Sequence, residues 1–192
     1  MKQPLAYVHP EAQIADNVVI EPFVTIDKNV VIEEGTRIGS NVTILEGTYI
    51  GKNCKIFPGA VIAAVPQDLK FKGEKSIVKI GDNTTIRECV TVNRGTAAKG
   101  VTQIGNNCLI MAYAHIAHDC TIGNNCIIGN GSQVSGCYVV EDYAILTSNV
   151  LMQGKTRLGT YAAVQGGSRF TKDIPPYWVT AHEPTAFYSI NT

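Results

Sequence analysis

Charged and aromatic residues are scarce in this chain of 192 residues. Asp, Glu, Lys and Arg make up 17% of it and aromatic residues 7%, whereas about 25% of an average domain is charged. Acidic and basic residues number 16 each, so the formal net charge is zero. A neutral chain lacks the electrostatic basis for binding nucleic acid or an anionic membrane surface. The composition therefore predicts neither partner, and the low charge content predicts that part of the surface is covered in an assembly.

Long hydrophobic runs are also missing. The N-terminus (MKQPLAYVHPEAQIADN) has no apolar stretch of the kind that signal peptides carry, and no run of about 18 apolar residues occurs elsewhere. We therefore expect a cytoplasmic protein without an integral membrane segment. Six cysteines are present, but a reducing compartment favours free thiols over disulfides, and the lack of a CxxC pair argues against a zinc cluster.

The dominant pattern is a repeat of six residues. Apolar residues, nearly all aliphatic, recur at every sixth position over 8–62, 80–92 and 104–170. Three residues after many of them comes Asn or Gly, the residues that adopt a left-handed backbone with least strain. A period of six fits short strands joined by regular corners, and it does not fit a helix. Three hexads would close a triangular coil of 18 residues, so the pattern predicts an all-β solenoid.

The repeat is broken twice, at about residues 66–79 and 97–103. In both segments the sixth positions are polar or too small to continue the coil, so we expect extruded loops. Repeat proteins carry their function in such insertions and in unusual residues at the corners. We assign residues 1–174 to the coil with its two loops, and residues 175–192 to a C-terminal extension.

An unusual corner lies in segment 111–120 (MAYAHIAHDC). His118 occupies a corner position that other hexads fill with Asn, Lys or Ser, and His115 precedes it by three residues. A neutral imidazole is the commonest general base near neutral pH, and Asp119 is placed to orient it. Residue 136, one coil further on, is glycine, where an approaching carbonyl oxygen would reach a main-chain N–H. Plain structural explanations stay open, because Asp suits any corner and glycines are plentiful.

Four segments resemble the UDP-N-acetylglucosamine acyltransferase family, which opens lipid A biosynthesis. They are 65–74 (VPQDLKFKGE), 86–96 (IRECVTVNRGT), 114–120 (AHIAHDC) and 173–177 (DIPPY). The resemblance implies a left-handed parallel β-helix and a homotrimer with active sites between subunits. It also implies transfer of a 3-hydroxyacyl chain from acyl carrier protein to the 3-position of UDP-GlcNAc. Neither a metal nor a cofactor is implied beyond the phosphopantetheine of the donor.

The same resemblance implies roles for individual residues. His118 matches the general base, Asp119 its partner and Gly136 the backbone donor to the oxyanion. Gly166 matches the position that measures acyl length. The full set of substrate-binding residues that it implies is Gln67, Asp68, Lys70, His115, Gln153 and Gly166.

The chain departs from the family pattern in three places. Gln153-Gly154-Lys155 stands where a His-Gln pair is usual, Cys137 replaces a substrate-contacting histidine, and Thr192 ends the chain where the family begins a C-terminal helical region. These departures leave open a relative that acylates another UDP-sugar, and a non-catalytic trimeric binding protein. A metal site formed by His115, His118 and a histidine of a neighbouring chain is a further alternative.

The sequence predicts a homotrimer, because flat prism faces with so little charge need partners. Light scattering at micromolar concentration should give three times the mass of the chain. The mass of a single chain under those conditions would contradict the prediction.

Overall fold

The computed structural model describes residues 5–153, 155–182 and 186–191. Most of these residues wind into a solenoid of short strands, and no described segment forms a helix that could cross a membrane. The strands form three sheets, which are the faces of a triangular prism. Strand pairing is parallel everywhere except at the C-terminal edge of the third face. The architecture is therefore a parallel β-helix, as the repeat of six predicts.

Up to Arg169–Phe170, each face is built from every third strand of the described chain, and the last two strands both join the third face. The first face contains Tyr7–Val8, Thr25–Ile26, Thr43–Ile44, Val61–Ala64, Thr91–Asn93, His115–Ile116, Gln133–Val134, Leu151–Met152 and Arg169–Phe170. The second face contains Gln13–Ile14, Val31–Ile32, Thr48–Ile50, Ile77–Ile80, Val101–Ile104, Thr121–Ile122, Val139–Val140 and Arg157–Leu158. The third face contains Val19–Ile20, Arg37–Ile38, Lys55–Ile56, Thr85–Ile86, Leu109–Ile110, Ile127–Ile128, Ile145–Leu146, Ala163–Val164, Trp178–Ala181 and Ala186–Ile190.

The core is a set of vertical columns of like side chains. Ile26 pairs with Ile44 and Ile44 with Ile62, so the phased aliphatics of successive coils stack directly, and all three are fully buried. Small residues fill the corners of the interior beside them, Cys108 and Cys126 among them. A free thiol in such a place acts as a compact hydrophobic group. Burial of this apolar surface is the main force that holds the prism together.

The corners turn on residues with a left-handed backbone. Asn107 and Asn125 have φ of 56° and 57°, as their place in the repeat predicts. The residue before each of them stacks in a hydrogen-bonded ladder along the edge between the second and third faces. The N–H of Asn106 donates to Asn124 Oδ1 (2.9 Å), and the N–H of Asn124 donates to Asp142 Oδ1 (2.7 Å). Side chains thus cap the backbone of the coil beneath them.

Two irregular segments interrupt the coil, a first loop at 65–76 and a second loop at 94–100. Stacked residues are normally separated by 18 residues in the sequence. The separation is 30 residues across the first loop and 24 across the second. The loops thus add 12 and 6 residues to a coil, both multiples of six. The aliphatic residues at every sixth position therefore still face the interior after each loop. The loops end earlier than the expected 66–79 and 97–103, because Ile77–Ile80 and Val101–Ile104 form strands that bury Val78 and Thr102.

Within the residues described, the C-terminal extension forms two strands. Trp178–Ala181 adds to the third face in parallel, and Ala186–Ile190 pairs with it in an antiparallel arrangement. The edge of the face offers unpaired backbone groups that a strand satisfies directly. The Trp178 and Phe187 rings then meet across the pair with centroids 4.8 Å apart.

The stacked columns predict a steep dependence of stability on core volume. Ile110 is fully buried, so Ile110→Ala should lower the free energy of unfolding by about 2–5 kcal/mol, and the matched variant Ile110→Val by about 0.5–1.5 kcal/mol. Urea denaturation of both variants measures these losses. Equal losses for the two substitutions would contradict the packing described.

Candidate active site

The candidate site is built around His118 at a corner between the first and second faces. The His118 Nδ1 atom lies 2.8 Å from Asp119 Oδ2. Both residues follow the strand His115–Ile116, and Asp119 turns the corner with φ of 61°. Asp119 therefore fills the structural role expected of any corner residue and also contacts the imidazole. Asp119 as a corner residue and Asp119 as a partner of His118 are therefore compatible explanations.

The carboxylate of Asp119 is enclosed, with a side chain 1% exposed. Its Oδ1 accepts the N–H of Thr96 (2.9 Å) and its Oδ2 accepts the Thr96 hydroxyl (2.6 Å). Burial by itself would raise the pKa of Asp119, but the hydrogen bonds from Thr96 and His118 outweigh it and lower that pKa. The group is therefore ionised at neutral pH. Because an ionised carboxylate can only accept, His118 Nδ1 carries a proton, and Nε2 is the basic nitrogen of the neutral ring.

Gly136 lies one coil above His118, where the 18-residue coil predicts it. The N–H of Cys137 donates to the His118 carbonyl oxygen (2.9 Å), which fixes the stacking of the two corners. A Cβ atom built on Gly136 would lie 2.6 Å from both Cε1 and Nε2 of the imidazole. No real Cβ makes such contacts, so the His118 ring holds its orientation because residue 136 has no side chain.

The N–H of Gly136 makes no hydrogen bond to any described residue. On the neighbouring edge, the equivalent N–H groups are capped by the side chain one coil further on, as with Asn124 and Asp142. The residue one coil beyond Gly136 is Gly154, which has no side chain and lies outside the described residues. The sequence thus provides no side chain to accept the Gly136 N–H. A free N–H in this place is suited to bind a developing oxyanion.

The first loop brings Asp68 to the other side of the imidazole. Asp68 Oδ2 lies 3.8 Å from His118 Nε2, and Asp68 Oδ1 accepts the N–H of Lys70 (2.9 Å). Gln67 and Lys70 have exposed side chains on the same loop. Of the three predicted loop residues, Asp68 is thus the one that the structure brings to His118.

His115 points outward from the first face, three residues before His118. Its Nδ1 lies 2.7 Å from the Thr91 hydroxyl, and burial lowers its pKa. A lowered pKa keeps the ring neutral at pH 7, where it can donate or accept hydrogen bonds to an uncharged ligand. This environment agrees with a substrate-binding role and does not suggest a second base.

Gln153 and Gly166, the remaining predicted residues, lie on different edges of the prism. Gln153 occupies the same edge as His118, and its amide oxygen accepts hydrogen bonds from Arg169. Gly166 follows the strand Ala163–Val164, so it lies on the edge between the third and first faces. One chain therefore does not bring Gly166 to His118.

His118, Asp119 and Cys137 have potential metal-ligating atoms within 4.8 Å of one another. Their chemistry does not favour a metal ion, however. Asp119 already accepts three hydrogen bonds. Burial, and next the charge of Asp119, raises the pKa of the Cys137 thiol, although metals bind the thiolate. The arrangement suits proton transfer better than coordination.

Sequence reasoning missed two residues that hold Asp119. Thr96 donates twice to its carboxylate, and the Thr102 hydroxyl accepts its backbone N–H at 2.8 Å. Thr96 lies in the second loop, where no repeat predicts neighbours. Thr102 carried a usable signal, because it stands two residues before the phased Ile104 and so on the same side of the strand, which predicts that it faces the interior. The structure buries it fully.

Two family models match the chain. The bacterial transferase hexapeptide model (six repeats) matches residues 102–136, and the GMPPB C-terminal domain model matches residues 2–96. Together they match the solenoid up to Gly136, except for residues 97–101 between them.

Curated relatives are named acyl-[acyl-carrier-protein]–UDP-N-acetylglucosamine O-acyltransferase. The protein from Janthinobacterium sp. (strain Marseille) is 44% identical over 190 residues, which is 98% of this chain and 72% of that protein. The one from Gloeothece citriformis (strain PCC 7424) is 42% identical over 132 residues, 69% of this chain and 48% of the relative. The match thus spans about half the length of some of these relatives.

Solved structures agree with this likeness. A UDP-N-acetylglucosamine acyltransferase from Bacteroides fragilis superposes with a TM-score of 0.98 at 56% identity, covering 100% of this chain and 75% of the other. The enzyme from Francisella novicida gives 0.98 at 45% identity, with 100% and 71% covered. The prediction of a left-handed parallel β-helix is confirmed.

The stacking of Gly136 on His118 gives a direct prediction. Gly136→Ala should displace the imidazole, because its Cβ would lie 2.6 Å from two ring atoms. We expect changed His118 side-chain resonances in NMR spectra, with an unchanged circular dichroism spectrum. Gly39→Ala, three coils away from His118, serves as the control and should leave those resonances in place. Unmoved His118 resonances in Gly136→Ala would rule out the contact.

Proposed function

The chain belongs to the acyl-[acyl-carrier-protein]–UDP-N-acetylglucosamine O-acyltransferase family, and from this membership we propose its reaction. It transfers a 3-hydroxyacyl chain from acyl carrier protein to the 3-hydroxyl of UDP-GlcNAc, the first step of lipid A biosynthesis. The observation that carries the proposal is the His118–Asp119 pair, with Nδ1 held at 2.8 Å from the carboxylate and Nε2 facing the first loop.

His118 acts as the general base. Its Nε2 takes the proton of the sugar hydroxyl while the hydroxyl oxygen attacks the thioester carbonyl carbon. The ring becomes an imidazolium, which the ionised Asp119 stabilises through Nδ1. Asp68 Oδ2, at 3.8 Å from Nε2, adds a second negative charge near the protonated ring.

The tetrahedral intermediate has its negative charge on the former carbonyl oxygen. The N–H of Gly136 is the proposed donor to that oxygen, since it has no partner among the described residues. Collapse of the intermediate breaks the carbon–sulfur bond and releases the phosphopantetheine thiolate, which takes the proton from the His118 imidazolium and so restores the neutral base. The residues of the chain suffice for this sequence, and the proposal includes no cofactor.

The proposal includes a homotrimer in the cytoplasm, with acyl carrier protein and a UDP-sugar as the substrates. The position of Gly166 supports an assembly, because a single chain keeps that glycine on a different edge from His118. A site between subunits would let one chain supply the base and its neighbour the end of the acyl groove.

A second candidate is the same transfer to a different UDP-sugar. The departures from the family that favour it lie beside the base. Cys137 has its thiol within 4.8 Å of ligating atoms of His118 and Asp119, and Gln153 is bound to Arg169 on the same edge. A panel of UDP-sugars with one acyl donor separates the two candidates. UDP-GlcNAc as the fastest acceptor supports the first, and another sugar as the fastest supports the second.

A non-catalytic binding protein is the remaining alternative. The buried and fully hydrogen-bonded Asp119 argues against it, because a scaffold has no need for an ionised carboxylate beneath an imidazole. Single-turnover assays with acyl carrier protein thioesters test this directly. Substrate binding without product formation would favour the scaffold.

His118→Ala provides the sharpest test of the mechanism. Loss of a general base typically costs 10²–10⁴-fold in rate, so kcat should fall by that range while circular dichroism and trimer mass stay unchanged. His9→Ala, the same substitution in the first coil, is the matched control and should keep full activity. A His118→Ala variant within tenfold of the unmodified protein would refute the assignment.

A further inference from the structure

Asp119 is held by a residue that belongs to neither the coil nor its repeat. Two of the three donors to its carboxylate come from Thr96, through the N–H at 2.9 Å and the hydroxyl at 2.6 Å. Thr96 is itself buried, at 6% exposure. The third donor is His118 Nδ1. The orientation of the carboxylate therefore depends on Thr96 as much as on the histidine.

The direction of the hydroxyl bond is fixed by a neighbouring donor. The N–H of Ala98 donates to Thr96 Oγ at 3.2 Å, so the single hydroxyl proton is directed to Asp119 Oδ2. That oxygen is the same one that accepts from His118 Nδ1. Thr96 and the imidazole therefore bind one carboxylate oxygen between them.

Thr96 is itself anchored on both sides. The N–H of Gly100 donates to the Thr96 carbonyl oxygen at 2.7 Å, which closes the turn of the second loop. The first loop contributes Glu74, whose Oε1 accepts the N–H of Ala97 at 2.8 Å. Gly95 packs so close to the backbone of Val101 that a Cβ atom would collide with it. These contacts bring Thr96 to the carboxylate in one orientation.

We infer that Thr96 is a positioning residue for the proposed transfer, acting through Asp119 on the imidazole of His118. The inference rests on the proposed function for its kinetic consequences, but the contact with Asp119 does not. By binding Oδ1 and Oδ2 at once, Thr96 fixes the carboxylate plane, so that His118 Nδ1 has one favourable partner. The ring then presents Nε2 to the acceptor hydroxyl. Thr96 itself does not touch the reacting atoms.

Loss of the hydroxyl should have two separable effects. The carboxylate would keep the Thr96 N–H at Oδ1 but lose the hydroxyl at Oδ2, so its plane would be held less firmly, which lowers the fraction of His118 in the productive orientation. The charge on Asp119 would also be less neutralised, so the imidazole would become more basic. The charged and titratable groups near the ring are Asp68, Asp119, His115 and Cys137. Glu74 acts on Asp119, and Lys99 and Lys155 act on Cys137. The substitution changes none of these groups.

The test compares Thr96→Val, which removes the hydroxyl, with Thr96→Ser, which retains it. A hydrogen bond to a charged group is worth about tenfold to a hundredfold in an equilibrium. We expect kcat of Thr96→Val to fall by about that range with KM for UDP-GlcNAc within about twofold, because the loss is in orientation of the base and not in binding. The acid limb of the kcat/KM profile should move to higher pH. Thr96→Ser should recover activity to within about threefold.

A matched control separates this role from a general need for buried hydroxyls. Thr84 is fully buried, and its hydroxyl donates to the Gly105 carbonyl oxygen and accepts the Cys108 N–H. Thr84→Val therefore removes a comparable hydroxyl away from His118. It should lower stability without moving the pH profile. If Thr96→Val does not fold, Thr96→Ala removes the same hydroxyl with less steric demand and takes its place.

NMR titration of His118 gives a readout that needs no activity. Its midpoint should rise in Thr96→Val and remain at the starting value in Thr96→Ser and Thr84→Val. Unchanged titration and unchanged kcat in Thr96→Val would overturn the inference. If the unmodified protein transfers no acyl group, the proposed function fails, while the titration still decides whether Thr96 controls His118.

Discussion

In-register stacking of the coils is the constraint on which the rest of the structure depends. Strands inside each sheet form hydrogen bonds with the coils on either side, so each of their residues stacks on the residue one coil away. The same holds at the corners, where a side chain on one coil covers the backbone of the next. Asn124 and Asp142 use that space to cap N–H groups. Any site on an edge of the prism has to be made by leaving this space empty.

At the edge that contains His118, the space for the imidazole exists because residue 136 is glycine. The imidazole of His118 lies against the backbone of Gly136, where any side chain would collide with it. The Gly136 N–H has no partner among the described residues. A missing side chain therefore positions the base, and the same glycine offers a donor for an oxyanion. The base and the donor are placed by the coil itself, so little additional structure is needed to keep them in register.

The sequence predicts the coil well and the support of the site poorly. The phased aliphatics fix the faces, and the 18-residue coil places Gly136 on His118 by counting alone. Thr96 could not be predicted in this way, because loop residues obey no period and their contacts arise from tertiary packing. The strand at Trp178–Ala181 was missed for a related reason: the edge of a sheet extends through backbone hydrogen bonds, which need no hydrophobic repeat. The roles of Gln67, Lys70 and Gly166 depend on family resemblance and on partners that a single chain does not contain.

Asp119 meets two demands that few residues satisfy together. The corner requires a left-handed backbone, which Asn, Asp and Gly tolerate best. Three donors also converge on the side chain, two from Thr96 and one from His118. Glycine would offer them no acceptor. Asparagine would direct its amide N–H₂ at one of these donors and leave that donor unpaired in a buried place. An ionised carboxylate accepts all three, so the geometry of the corner and the chemistry of the base select the same residue.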